Sequence, residues 1–265
     1  MLSRVTASRF HETARSGRNK PCFLGCAQED GPEIEVYVKF CGPEMTIRSQ
    51  ITEAVTALLA ADLDLPVPEP FLVNVEADFA ATIPDLPARA RAQQSLGWNF
   101  GSRKLPPGFS TIPTDKPISQ ALIQTAAEIL AFDMFICNPD RTVANPNCLS
   151  NGRELAIYDH ELAFFTDGII GWQPPWVPGG IVLPKGQPPR TRHVFQEELR
   201  GVPLDFERFI GAFDVVTPAR MQEYRAALPQ PWVGNGSVID PMLDYIQQLG
   251  HNIRSSVANL KGALK

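Results

Sequence analysis

Phe132-Asp133-Met134-Phe135-Ile136-Cys137-Asn138-Pro139-Asp140-Arg141 runs on through Asn145-Pro146-Asn147 to Ile157-Tyr158-Asp159-His160-Glu161-Leu162-Ala163-Phe164. Upstream, Ser119 is placed to cap a helix reaching about Phe135, and Leu122, Ile123, Ala126, Ile129, Leu130 and Phe135 make that helix apolar over much of its surface. A polar loop follows over Cys137 to Asn147, then a turn at Asn151-Gly152 and a strand from Glu154 to Tyr158 that ends on Asp159. The order is helix, polar loop, hairpin, acid. An acid closing an apolar strand stands where solvation alone would not favour it.

Phosphoryl transfer needs a cation on the phosphates, oxygen ligands for a metal, and a carboxylate beside the incoming hydroxyl. Protein kinases set a catalytic Asp five residues before a metal-binding Asn, and a strand-end Asp follows. Asp140 and Asn145 have that spacing and Asp159 closes the hairpin. An Asp and an Asn at this distance also occur in ordinary solvated turns. The buried helix before them and the acid after them are what make the set chemical.

Working toward the N-terminus, Asp78 to Lys116 is rich in Pro, Gly and small residues around Leu96-Gly97-Trp98-Asn99-Phe100, and reads as a hinge between two lobes. Before it, residues 21–27 and the alternating Ile34, Val36, Val38 and Phe40 read as a strand pair around a turn at Gln28 to Pro32. Lys39 faces away from Val38 and Phe40. Thr46 to Leu63 has helical spacing through Ile51, Val55, Leu58 and Leu59, is stopped by Pro66 and Pro68, and is followed by an extended run at 70–75. Toward the C-terminus, residues 166–192 read as a long Pro- and Gly-rich loop, and amphipathic helices are expected near 203–213, 218–227 and 239–261.

These residues resemble the HipA-like kinases, relatives of the lipid-kinase type with Asp-Arg where protein kinases have Arg-Asp. The stretch Phe132 to Asn147 is similar to their catalytic loop, and Ile157 to Phe164 to their metal-binding motif. The resemblance implies an α+β, two-lobed protein-kinase-like fold, with a β-rich nucleotide-binding lobe over 1–104 that includes the hinge and a mostly helical catalytic lobe over 105–265. It implies Asp140 as the catalytic carboxylate, Asn145 and Asp159 as Mg2+ ligands, Lys39 on the ATP phosphates and Glu53 as the helix carboxylate holding Lys39. Two solvated surface charges would also account for Lys39 and Glu53.

The same resemblance makes Arg15-Ser16-Gly17-Arg18-Asn19-Lys20-Pro21 a short phosphate loop in which Ser16 is a site of autophosphorylation. That loop has one Gly and departs from GxGxxG, so a flexible basic N-terminus stays open. Trp98 and Phe100 are candidates for the adenine site, with simple core as the alternative. His160 and Glu161 stand where protein kinases have Phe-Gly, so the usual activation switch is not expected.

Composition narrows the function classes. The 265 residues are 44% hydrophobic and 20% charged with a net charge of −5, which suits a globular protein and disfavours a nucleic-acid binder. No apolar run approaches the roughly 20 residues of a bilayer span. Five cysteines form no CxxC pair and four histidines are scattered, so reduced thiols in a cytoplasmic protein are expected rather than a disulfide frame or zinc site. The favoured reading is a kinase acting on protein Ser or Thr, with an antitoxin-like partner among the family's implications. The alternatives are a lipid or small-molecule kinase and a nucleotide-binding pseudokinase or toxin-antitoxin interaction module.

Overall fold

The computed structural model describes residues 2–14, 19–42, 45–166, 169–183, 185–186, 188, 190–234 and 238–265. The fold is mixed α+β, with strands concentrated in the N-terminal part and helices in the C-terminal part. Its backbone gathers into two compact units. Met1–Leu58, Pro68–Pro106 and Glu223–Gly236 make the first, and Leu59–Val67, Pro107–Gln222 and Ser237–Lys265 the second.

The first unit is built on a closed five-stranded barrel of β1 (Ser3–Thr13), β2 (Cys22–Ala27), β3 (Ile34–Lys39), β4 (Pro70–Val75) and β5 (Gly97–Arg103), in the order β1-β2-β3-β5-β4. Parallel pairing of β1 with β4, from Ser3 opposite Phe71 to Thr6 opposite Asn74, closes it. Two register shifts in β1, at Ala7/Arg9 and Phe10/Glu12, bend that strand so that one chain segment serves two neighbours. Val5, Ala7, Leu24, Cys26, Ile34, Val36, Val38, Phe71 and Val73 fill the interior. Gly101 lines the same space: a Cβ there would lie 2.6 Å from Val36 Cγ1 and 2.9 Å from Val73 Cγ2, so the barrel admits no side chain at that position.

Helix α1 (Ile47–Asp62) starts where the Thr46 hydroxyl accepts from Ser49 N at 3.2 Å, and lies beyond β3 on the face opposite the barrel interior. The segment read as a hinge carries regular structure: α2 (Ala77–Thr82), α3 (Leu86–Gln94), β5 and, paired elsewhere, β6 (Ser110–Thr111). Asp85 caps α3 by accepting from Ala88 N at 2.9 Å, and Phe79, Ala80, Ile83, Ala88 and Ala92 join the barrel core. Short helices with small residues and a Gly-bearing strand give weak periodicity, which is why the sequence looked unstructured there.

The second unit is organised around α4 (Ile123–Phe135), entered through a single 3-10 turn at Gln120–Leu122 that Ser119 caps. Every residue from Ala126 to Phe135 except Met134 is buried. Beyond it β6, β7 (Cys148–Ser150) and β8 (Leu155–Ile157) form a three-stranded antiparallel sheet. The later helices are α5 (Gln196–Leu199), α6 (Glu207–Ala212), α7 (Pro218–Ala227), α8 (Gln230–Val233), α9 (Ile239–His251) and α10 (Ile253–Ala263). The expected helix over 239–261 is thus two helices broken at Asn252, and the one near 203–213 shortens to α6. All five cysteines are free thiols, and among the described residues no helix is long and apolar enough to cross a membrane.

Candidate active site

In the first unit, Lys39 is the last residue of β3 and keeps only 8% of its surface exposed. The even-spaced Ile34, Val36 and Val38 enter the barrel, so Lys39 projects from the opposite face, where its ammonium forms an ion pair with Glu53 of α1. Glu53 is 1% exposed. Two opposite charges taken this far out of water stabilise each other, and removing either deprives the other of this buried ion pair. Phe100 of β5 is the register partner of Lys39 and is buried, while Trp98 is half-buried with the Arg4 guanidinium 5.2 Å from its ring. Ser16 and Gly17 lie outside the described residues.

In the second unit, a polar network anchors the loop that carries Asp140. Asp133, fully buried in the last turn of α4, accepts from Arg141 Nε at 2.6 Å, from Asn138 Nδ2 at 2.7 Å and from His193 Nε2 at 3.0 Å. Arg141, also buried, donates onward to the backbone oxygens of Asn147 and Tyr158. One guanidinium therefore ties together the helix end, the residue after Asp140, the loop end and the residue before Asp159. Val143 N donates to Arg192 O and Val194 N to Arg141 O, each at 3.1 Å, so the strand-like segment bearing His193 clamps the loop from outside.

The protonation states follow from these contacts. Burial alone would raise the Asp133 carboxyl, but the charge of Arg141 and the hydrogen bonds from His193 and Arg141 outweigh it and hold the group well below the usual carboxylate range. Burial dominates at His193 and lowers it, against the pull of Asp133. The geometry agrees, since Nδ1 accepts from Phe195 N at 3.2 Å and cannot also carry a proton. The His193–Asp133 contact is a hydrogen bond from a neutral ring rather than an ion pair.

Held this way, Asp140 presents a half-buried carboxylate whose Oδ2 accepts from Asn145 Nδ2 at 2.9 Å and Asn147 Nδ2 at 3.0 Å. Burial raises its carboxyl above the ordinary value, and the nearby charge of Asp159 adds to that against the hydrogen bonds from the two amides. Asp159 sits two residues past β8 in the left-handed region, at φ 65°, a conformation Asp tolerates better than most side chains. Asn145, exposed, donates its amide nitrogen to Asp140, which leaves the carbonyl oxygen of the same group as the atom that could meet a cation. The Asp159 carboxylate and the Asn145 amide oxygen are hard oxygen donors of the kind magnesium takes. His160 and Glu161 are both buried, His160 edge-on to the Phe132 ring at 6.1 Å.

The sequence reading had no role for Asp133, Arg141, Asn147 or His193. An Asp inside an otherwise buried helix was the available signal for the first. His193, 60 residues from its partner, had none.

Residues 8–169 match the family model described as HipA-like kinase, a span of more than half the chain that includes Lys39, Glu53, Asp140, Asn145 and Asp159. No curated protein matches the sequence. Among solved structures, the chain is similar to the Helicobacter pylori proinflammatory kinase CtkA, at 11% identity and a TM-score of 0.50, over 97% of this chain and 99% of that one. At that identity the likeness is one of fold.

Proposed function

The chain belongs to the HipA-like kinase family, and we propose that it transfers the γ-phosphoryl group of ATP, in the presence of Mg2+, to a serine or threonine of a protein. The observation that carries this reading is the Asp140 carboxylate, held by Asn145 and Asn147 in a loop that Arg141 locks to Asp159's own backbone neighbour. A carboxylate oriented by two amides and raised above its ordinary value is suited to accept the hydroxyl proton as the acceptor oxygen attacks phosphorus.

The remaining roles follow by chemistry. Lys39, kept charged-side outward from the barrel by Glu53, neutralises phosphate oxygens. Asn145 and Asp159 would hold magnesium, which when bound neutralises the charge that develops on the transferred group. Asp140 orients the acceptor. Incubating the protein with Mg2+ and γ-labelled ATP, an extract whose own kinases are inactivated, and mixed phospholipid vesicles tests the reading by chemical class of product. Label on phosphoserine and phosphothreonine supports it, whereas label confined to lipid or small molecules overturns the acceptor assignment.

A further inference from the structure

Gln50 is wholly buried on α1, one turn ahead of Glu53 and on the same helical face. Its Nε2 donates to Lys39 O at 2.7 Å and its Oε1 accepts from Phe100 N at 2.6 Å. Lys39 and Phe100 stand directly opposite in the β3–β5 ladder. From the bond that Lys104 N makes to Glu35 O at 2.9 Å, the hydrogen-bonded pairs of an antiparallel ladder alternate to Tyr37 with Ser102 and then to Lys39 with Phe100. The Phe100 amide and the Lys39 carbonyl are therefore groups that an uninterrupted ladder would join to each other. The Gln50 carboxamide, one donor and one acceptor at a planar end, bonds to both of those groups at this last rung.

Side chains also hold the chain just beyond Lys39 and beside Phe100. Cys41 N donates to Ser95 Oγ at 2.6 Å, and Asn99 Nδ2 donates to Ser95 O at 2.8 Å. Ser95, Asn99 and Gln50 are all buried. Helix α1 thus grips Lys39 twice, its backbone through Gln50 and its ammonium through Glu53.

We infer that Gln50 is a positioning residue for the phosphate-binding lysine: by bonding to both backbone groups of the last rung of the β3–β5 ladder it sets where the Lys39 backbone sits, and so where the ammonium meets the nucleotide phosphates. The inference rests on the reading of Lys39 given under Proposed function. A carboxamide that only filled a gap in the sheet would support stability without affecting where Lys39 reaches, and the two cases separate experimentally.

An ATP acyl-phosphate probe acylates a lysine that lies at the bound phosphates, and mass spectrometry of the Lys39 peptide reads the extent. At saturating probe, and with folding verified by circular dichroism, Gln50→Met is expected to lower Lys39 acylation at least tenfold relative to wild type. Gln50→Glu, which keeps the acceptor for Phe100 N and loses the donor to Lys39 O, should fall between them, and it serves as the test if Gln50→Met does not fold. Wild-type acylation of Lys39 in a folded Gln50 variant overturns the proposal. Absence of ATP-competable acylation at Lys39 in the wild-type protein overturns the reading of Lys39 instead, and the proposal with it.

Discussion

Arg141 and Asp133, eight residues apart, form a wholly buried ion pair, Nε to Oδ2 at 2.6 Å, that fastens the residue following Asp140 to the last turn of α4. Breaking such a pair by deleting one member strands the other charge out of water, at a cost of roughly 3–5 kcal/mol. Asp133→Ala is expected to lower unfolding stability by about that much, because Arg141, Asn138 and His193 all lose their shared acceptor. Denaturant unfolding followed by circular dichroism measures it. A loss within about 1 kcal/mol would show that the network is dispensable.

The same network gives stability a signed dependence on pH. His193 and Asp133 are both held below their ordinary values of 6.5 and 3.8, so in each case the unfolded chain takes up a proton before the folded one does. The contribution of His193 is fully present above about pH 6.5 and is lost as the pH falls from there through its folded value. The contribution of Asp133 is present above about pH 3.8 and is lost below it. Stability should therefore fall on acidification from pH 7.5 to 5, and His193→Gln should flatten that limb. Stability that is constant or rises over this interval in the wild-type protein contradicts the neutral assignment of His193.

Much of this was legible beforehand, and the rest was hidden for identifiable reasons. Lys39 could be singled out because it projects from the opposite face of a strand whose alternate residues Val36 and Val38 are apolar, and Asp140 and Asn145 because their spacing is local. Strand β1 was missed: only Val5 and Ala7 of its eleven residues are buried, and two register shifts break the period of two on which strand reading depends. Barrel closure by β1 and β4 pairs residues nearly seventy positions apart, as Ser3 opposite Phe71 illustrates, and no local pattern records that. The break between α9 and α10 at Asn252 was invisible because the amphipathic face continues through Ile246, Leu249, Ile253 and Val257 on both sides of it. The clamp of His193 on Asp133 is non-local in the same sense.

Metal dependence should divide unequally between the two residues proposed to hold magnesium. A carboxylate binds a hard cation more strongly than an amide oxygen does, so Asp159→Ala should raise the magnesium concentration needed for half-maximal nucleotide binding by more than Asn145→Ala. Asn145→Ala also removes one of the two amides on Asp140, so it is expected to lower turnover beyond its effect on magnesium. Magnesium titrations of nucleotide binding, paired with turnover at saturating metal, resolve the two effects. Superimposable titrations for Asp159→Ala and wild type would remove Asp159 from the metal site.

The central claim is that Asp140 is the carboxylate that serves the acceptor hydroxyl. Asp140→Asn conserves volume, keeps an oxygen for one of the donors at Asn145 and Asn147, and relieves the repulsion between Asp140 and Asp159. The fold should hold, with a thermal midpoint no lower than wild type, and nucleotide affinity should be unchanged. The decisive measurement is the rate of label transfer from γ-labelled ATP to protein serine and threonine by wild type and Asp140→Asn under the same saturating Mg2+ and ATP. The account predicts a loss on the order of 10²- to 10⁴-fold. Transfer at the wild-type rate by a folded Asp140→Asn protein would contradict it.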